Sequence, residues 1–331
     1  MKRLLKVTIF LALSTFVFGF VNPAFSPKEE QMEGSWLEKN IDDLTYKIFI
    51  PSHPQSAAPF IVGMHGCNQN PDDFSASTYL LEKARQQQFF YMSLKKDKRS
   101  ENDSTCWQWF NSQNLSTDSV RLNQLMSAIL REKNELGLNG AKTYLIGLSA
   151  GATMSNILSA CFLDQFDGVA LLSGPVGFVV SDPAKALGHM LLGTQKSTQE
   201  LAELAWNCHQ GSHDTKLKSV IIVSGNEDKV VNPNHILALT RQYKGIYDLV
   251  DDGESNQSVT WESKTVDSSP ESASYPYTHV QWRSNFAEIH SFLISNLAHA
   301  WSGGREEFPY TDPKGPPITD IMLEIWNPSQ P

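Results

Sequence analysis

The sequence predicts an α/β fold, a mainly parallel sheet flanked by helices in a single domain. Three observations predict it. Short apolar runs alternate with stretches at helical spacing along the 331 residues. Several of those runs are continuously apolar, as expected of strands covered on both faces. Polar clusters rich in small residues follow the ends of the runs, and open parallel sheets place their chemistry at the carboxyl ends of strands. A hydrophobic content of 40% against 19% charged residues supplies a sizeable core.

The first 26 residues stand apart. Lys2, Arg3 and Lys6 precede an almost unbroken apolar run from Val7 to Val21, and small residues follow. That order reads as a secretory signal peptide, and a run of about 15 residues is short of the roughly 20 that span a bilayer. Cleavage and export to the periplasm or the medium are expected, with no stable membrane anchor. Ala24-Phe25-Ser26 and Val17-Phe18-Gly19 both offer small residues for the cut. Residues 27–43 are polar and acidic and read as a loose lead-in, with the main domain over 44–331.

Within that domain, Leu44–Ile50 alternates and stops at Pro51, as a strand does. Pro59–Met64 is a buried strand ending at His65-Gly66-Cys67-Asn68-Gln69. Residues 73–87 look helical, Phe89–Leu94 is the next strand, and 95–116 is a polar loop holding Cys106-Trp107-Gln108-Trp109-Phe110. Val120, Leu122, Leu125, Met126, Ile129 and Leu130 form a helical stripe within 118–135. Further strands are predicted at 141–146, 168–174 and 219–225. Helices are predicted from 152, at 197–208, at 234–244 and at 316–326. Residues 246–285 are mixed. Phe286, Ile289 and Leu293 fall at helical spacing, which places His290 inside a helix.

Gly147-Leu148-Ser149-Ala150-Gly151 lies between a predicted strand and a predicted helix, the context of a nucleophile elbow. A serine on such a tight turn is held clear of the sheet, above a helix N-terminus that favours developing negative charge. The hydroxyl needs a base, and the base an orienting acid. On this topology the order along the chain is serine, acid, histidine. Asp228 follows the strand ending at Ser224-Gly225, with Glu227 as its rival and helix capping as its non-catalytic explanation. Of the later histidines, His299 sits in Ala298-His299-Ala300-Trp301-Ser302-Gly303-Gly304, a late loop of small residues able to reach back over the serine. An oxyanion hole requires two backbone N–H groups, expected from Ala150 and from Cys67 after the 59–64 strand.

Net charge is −9, and removing a leader with three basic residues and no acid makes it −12. That argues against nucleic acid or an anionic membrane surface as partner. Cys67, Cys106, Cys161 and Cys208 allow two disulfides in an oxidising compartment, in any of three pairings. Cys208-His209 with His213 lacks an evident fourth ligand, so no metal and no cofactor are expected. The oligomeric state is not legible.

Five blocks in order resemble the poly(3-hydroxybutyrate) depolymerase-like secreted esterase family of the α/β-hydrolases. They are His65-Gly66-Cys67-Asn68-Gln69, Cys106-Trp107-Gln108-Trp109-Phe110, Gly147–Gly151 with Ala152, Gly225-Asn226-Glu227-Asp228 and His299–Gly304, within residues 44–326. The resemblance implies an α/β-hydrolase catalytic domain with Ser149, Asp228 and His299 as its triad. It also implies a Cys67–Cys106 bridge, which leaves Cys161 with Cys208. The expected activity is hydrolysis of carboxylic esters, with hydroxyalkanoate polyester or its oligomers as substrate, through an acyl-enzyme. A feruloyl or acetylxylan-type carbohydrate esterase would use the same fold and triad. A catalytically inactive binding protein is the third reading. Ala152-Thr153 departs from the family's second glycine after the elbow, Met64 stands where leucine is usual, and the arginine-glycine-rich segment is not evident at 111–120. Trp107, Trp109 and Trp301 flank the blocks, either as aromatic walls for an acyl chain or as core.

Overall fold

The computed structural model describes residues 34–41, 44–54, 58–96, 106–209, 215–268 and 274–326. The leader expected at 1–26 and the start of the lead-in lie outside the described residues. Along the chain, strands β1 (Gly34–Ile41), β2 (Leu44–Pro51) and β3 (Phe60–Met64) precede helices α1 (Pro71–Ser77) and α2 (Leu80–Gln87). Then come β4 (Phe90–Leu94), α3 (Val120–Glu135), β5 (Thr143–Leu148), α4 (Ala150–Cys161), β6 (Gly168–Leu172), α5 (Pro183–Leu192) and α6 (Thr198–Trp206). The chain continues through β7 (Ser219–Gly225), α7 (His235–Asp252), β8 (Glu262–Ser268), β9 (Tyr277–Arg283) and β10 (Glu288–Ile294). It closes with β11 (Trp301–Ser302), β12 (Thr311–Asp312) and α8 (Ile318–Trp326).

Ten strands make one sheet in the order β1-β2-β4-β3-β5-β6-β7-β10-β9-β8, and β11 pairs with β12 apart from it. The strands from β4 to β10 in that order run parallel. Antiparallel strands finish both edges. Every residue of β3 to β7 is buried, which explains their continuous apolar runs. One core lies between the sheet and α3, α4, α6 and α7, around Leu125, Met154, Leu201 and Tyr243. The other lies beneath α1, α2 and α8, around Phe74, Leu81, Trp301 and Met322.

Local chemistry sets the helix starts. Asn70 caps α1 by accepting the Asp73 N–H, with Pro71 in the first turn. Ser119 caps α3, and Ser197 with Glu200 forms a capping box at α6. The helix expected over 73–87 is two helices, because Tyr79 takes a left-handed φ of 61° between them.

Three further expectations are corrected. Residues 34–41 of the expected lead-in form β1, hydrogen-bonded along β2; as an edge strand with mostly exposed side chains it lacks the apolar signature of a core strand. The helix expected around His290 is β10, held between β7 and β9. It is buried on both faces, so it shows no alternation to separate it from a helix. Finally, α5 occupies part of the segment where only the helix near 197–208 was expected.

Candidate active site

The loops after β3, β5, β7 and β10 meet at one end of the sheet, and strand register brings them there. Met64 lies opposite Gly147, so His65-Gly66-Cys67 runs beside Leu148-Ser149-Ala150. Gly225 lies opposite Ile294, so the chain leaving β7 meets the chain leaving β10.

Ser149 has φ 56° and ψ −122°, a backbone that side-chain-bearing residues rarely adopt. Its N–H donates to the Leu172 carbonyl at 2.8 Å, and its carbonyl accepts from the Thr153 N–H at 3.1 Å, so the strained turn is held from both sides. The two glycines of the motif are required by contact. A Cβ on Gly147 would lie 2.4 Å from the Gly151 carbonyl oxygen, and one on Gly151 would lie 2.1 Å from that of Met64. Gly174 is a third close approach, which the motif did not reveal: a Cβ there would lie 2.6 Å from Ala152 Cβ.

Ser149 Oγ lies 3.0 Å from His299 Nε2, and His299 Nδ1 lies 2.7 Å from Asp228 Oδ2. The Asp228 side chain is fully buried, and its Oδ1 accepts the N–H groups of Val230 and Val231, each at 2.8 Å. These backbone donors hold the carboxylate without a cation. Asn226 joins the acid and histidine loops: its side chain accepts the Asn296 N–H at 2.8 Å, and the Glu227 N–H donates to the Leu297 carbonyl at 3.0 Å. A Cβ on Gly225 would lie 2.0 Å from that same carbonyl oxygen, so this glycine lets the two loops close.

The rival acid, Glu227, points outward and pairs with Lys229 at 3.1 Å. Ala150 is the first residue of α4, where an N–H has no partner within the helix. The Gly66-Cys67 turn is fastened by the Gly66 N–H donating to Gln69 Oε1 at 2.8 Å and by the Cys67–Cys106 disulfide. The second disulfide joins Cys161, the last residue of α4, to Cys208. Cys208 is therefore not a metal ligand, and His213 lies outside the described residues.

The aromatic walls are a correction. Trp301 is fully buried, edge-on to Phe74, and its Nε1–H donates to Thr319 Oγ1 at 3.0 Å. It anchors the histidine loop to the core. Trp109 is 4% exposed and packs against Phe110 and His189. Trp107 is 1% exposed and donates to the His65 carbonyl at 2.9 Å. Indoles at these positions are worth more as packing, with a hydrogen bond for Trp107 and Trp301, than at the surface. Trp107 borders a cavity of about 570 Å³ walled also by Lys96, Gln108, Arg121 and Met154.

Two buried histidines lie near Asp228. His235 and His189 meet edge to face, and each binds backbone: His235 to Val176 and to the His189 carbonyl, His189 to the Val176 carbonyl. Burial pushes His235 down to about 4, helped by His189, and lowers His189 as well.

A mainly parallel sheet carrying a serine, a carboxylate and a histidine, in that chain order and at the strand ends, defines an α/β-hydrolase. An acetyl xylan esterase from Aspergillus awamori shares the fold, with a TM-score of 0.69 at 15% identity over 89% of this chain and 100% of that one. The chain belongs to the esterase PHB depolymerase family, whose model matches residues 44–263. A poly(3-hydroxyalkanoate) depolymerase C from Paucimonas lemoignei is 25% identical over 200 residues, 60% of this chain. This chain spans about half of that relative's length, 48%. A feruloyl esterase B from Thermothelomyces thermophilus is 22% identical over 216 residues, 62% of this chain and 72% of its own.

Proposed function

We propose that this protein is an exported serine esterase that hydrolyses carboxylic esters, with hydroxyalkanoate polyester or its oligomers as substrate. The observation that carries the reading is the hydrogen-bonded series Ser149–His299–Asp228. Family membership and the depolymerase relative support the substrate class. Two disulfides support an oxidising compartment.

In this reading His299 Nε2 takes the proton of Ser149 as Oγ attacks the ester carbonyl. Asp228 keeps the other ring proton on Nδ1 and stabilises the imidazolium that forms. The amides of Cys67 and Ala150 receive the oxyanion. The imidazolium returns its proton to the departing alcohol, and the acyl-enzyme is hydrolysed by water activated through the same histidine.

The experiment is ester release from p-nitrophenyl butyrate by the wild type and by Ser149→Ala. The variant should lose about 10⁶-fold in kcat. Equal rates would remove the serine mechanism, and an inert wild type would favour the reading as a binding protein. A carbohydrate esterase is the second reading, supported by the feruloyl esterase relative and by the polar cavity beside Trp107. Comparing 3-hydroxybutyrate oligomers with methyl ferulate separates the two: faster turnover of the ferulate overturns the polyester assignment.

A further inference from the structure

We propose that the cavity at the amino-terminal ends of β5, β7 and β10 is a second binding site, and that it takes a short 3-hydroxy carboxylate. That this acid is the enzyme's own product rests on the polyester reading; the site itself does not.

The cavity, of about 440 Å³, is walled by Tyr144, Ser219 and Glu288 from the starts of three neighbouring strands. The triad follows strand ends, and the seven residues of β7 put about 23 Å between the two ends of the sheet. The cavity is therefore separate from the esterase site.

Its buried wall holds two hydrogen-bonding groups without partners. Trp326 is 5% exposed and Ser219 8%, yet the indole Nε1–H and the Ser219 hydroxyl have no hydrogen-bond partner among the described residues. Buried polar groups are rarely left so, because water has been given up and nothing replaces it. The indole is also fixed in place. Its ring stacks on Tyr144 with centroids 4.5 Å apart, and a Cβ on Gly168 would lie 2.9 Å from its Nε1.

The exposed rim sets the charge of what fits. Lys142, Lys218 and Arg283 stand around the opening, in a chain whose net charge is −9. Two carboxylates share the wall. Glu288 is engaged by Arg283 at 3.4 Å and by Gln281 at 3.2 Å. One oxygen of Asp167 accepts the Thr143 N–H at 2.8 Å, and the other can accept a hydroxyl. Half-buried Phe286 and Ile325 supply apolar surface, with the Lys218 ammonium 5.6 Å from the Phe286 ring centre. Cations and buried donors suit a carboxylate, Asp167 suits a hydroxyl, and the apolar surface suits a short aliphatic chain. A 3-hydroxy acid carries all three, whereas inorganic phosphate lacks the chain.

Binding can be read at the indole itself. The eight tryptophans give eight indole signals in a nitrogen–proton correlation spectrum, and Trp326→Phe identifies the one at the cavity. Titrating 3-hydroxybutyrate into the wild-type protein at low salt should move that signal downfield and saturate, with a Kd of about 1 mM. Butyrate, without the hydroxyl, should bind about fivefold more weakly, and phosphate more weakly still. Lys142→Gln combined with Lys218→Gln should weaken 3-hydroxybutyrate about tenfold and leave kcat for p-nitrophenyl butyrate unchanged. A Trp326 signal unmoved at about 50 mM 3-hydroxybutyrate overturns the site. Phosphate binding as tightly as 3-hydroxybutyrate overturns the ligand class, and an unchanged Kd in the double variant overturns the role of the rim. Saturable binding in a protein inert toward 3-hydroxybutyrate oligomers would uphold the site and remove the protein's own reaction as its source.

Discussion

Asp228→Asn tests the hydrogen-bonded series at its most constrained point. Asp228 Oδ1 accepts two backbone N–H groups, from Val230 and Val231, and those donors cannot be turned around. An asparagine must give them its carbonyl oxygen. Its NH₂ then occupies the place of Oδ2, 2.7 Å from His299 Nδ1. There it can only donate, so Nδ1 becomes the acceptor and the neutral ring carries its proton on Nε2, facing Ser149 Oγ at 3.0 Å. A protonated Nε2 cannot take the serine proton. The wrong tautomer in a serine protease costs about 10⁴ in kcat, and the same loss is expected here, about 5 kcal/mol of transition-state stabilisation. The cap on Val230 and Val231 survives, so circular dichroism and melting temperature should remain close to wild type. The assay is p-nitrophenyl butyrate hydrolysis with kcat and KM resolved, run beside Glu227→Gln. Loss of less than about tenfold in Asp228→Asn would refute the tautomer reasoning. The large loss appearing in Glu227→Gln instead would move the acid to the neighbouring carboxylate, half-exposed and paired with Lys229.

The two disulfides close loops of similar length, 39 and 47 residues apart in sequence. Removing either pair by Cys→Ala should therefore cost a similar stability, about 4 kcal/mol on the chain-entropy estimate, by urea denaturation. Only the Cys67/Cys106 variant should also lose kcat per folded molecule, and equal kcat in the two would detach that bridge from the oxyanion loop. Acid should weaken the fold through histidines shielded from water: buried His65 and His235 and half-buried His279 are each held at about 4, all chiefly by desolvation. Their folded pKa values lie below the unfolded value of about 6.5, so this stability is complete above that pH and is lost as pH falls toward 4. The melting temperature should drop between pH 7 and pH 4.5 and drop less in His235→Gln; a flat profile in the wild type would contradict it.

The parallel centre of the sheet was legible because β3, β5, β6 and β7 are buried throughout and read as unbroken apolar runs. The sheet's edges were not. β8 is exposed on nearly every residue and carries no apolar pattern, and β1 looks like a polar leader. α5 escaped notice because it buries Ala186 and His189 while exposing Leu187, Leu191 and Leu192, the reverse of an amphipathic stripe. The serine, acid and histidine were readable because each follows a strand on a short motif, and the structure brings all three together. What joins the loops was hidden: Asn226 acts through a contact between segments distant in sequence, which no local spacing reveals. The tryptophans misled for the opposite reason. Their place beside the motifs was visible, but the direction of their rings was not, and packing claimed Trp109 and Trp301.

The methyl group just after the elbow motif has a structural counterpart that can be measured. Ala152 follows the G-x-S-x-G motif directly, and its methyl group needs room behind the elbow. Gly174, in the loop after β6, provides it: a Cβ at 174 would lie 2.6 Å from Ala152 Cβ, against 3.0 Å to the Ser149 carbonyl oxygen and 3.2 Å to the Thr153 nitrogen. The carbon–carbon contact is by far the worst of the three, since 2.6 Å is deep inside van der Waals contact while the two polar atoms ask for shifts of a few tenths of an ångström. Gly174→Ala alone should therefore overpack the turn and cost about 1–3 kcal/mol. Ala152→Gly alone should cost about 1 kcal/mol through helix propensity. If the two positions share one methyl's worth of space, the double variant is more stable than the sum of the single losses predicts. A coupling of at least about 1 kcal/mol in a urea-denaturation double-mutant cycle is expected. Additive losses would mean that Ser149 and Thr153, not Ala152, demand the glycine at 174. The strain at the nucleophile would then be held by the backbone of the elbow alone.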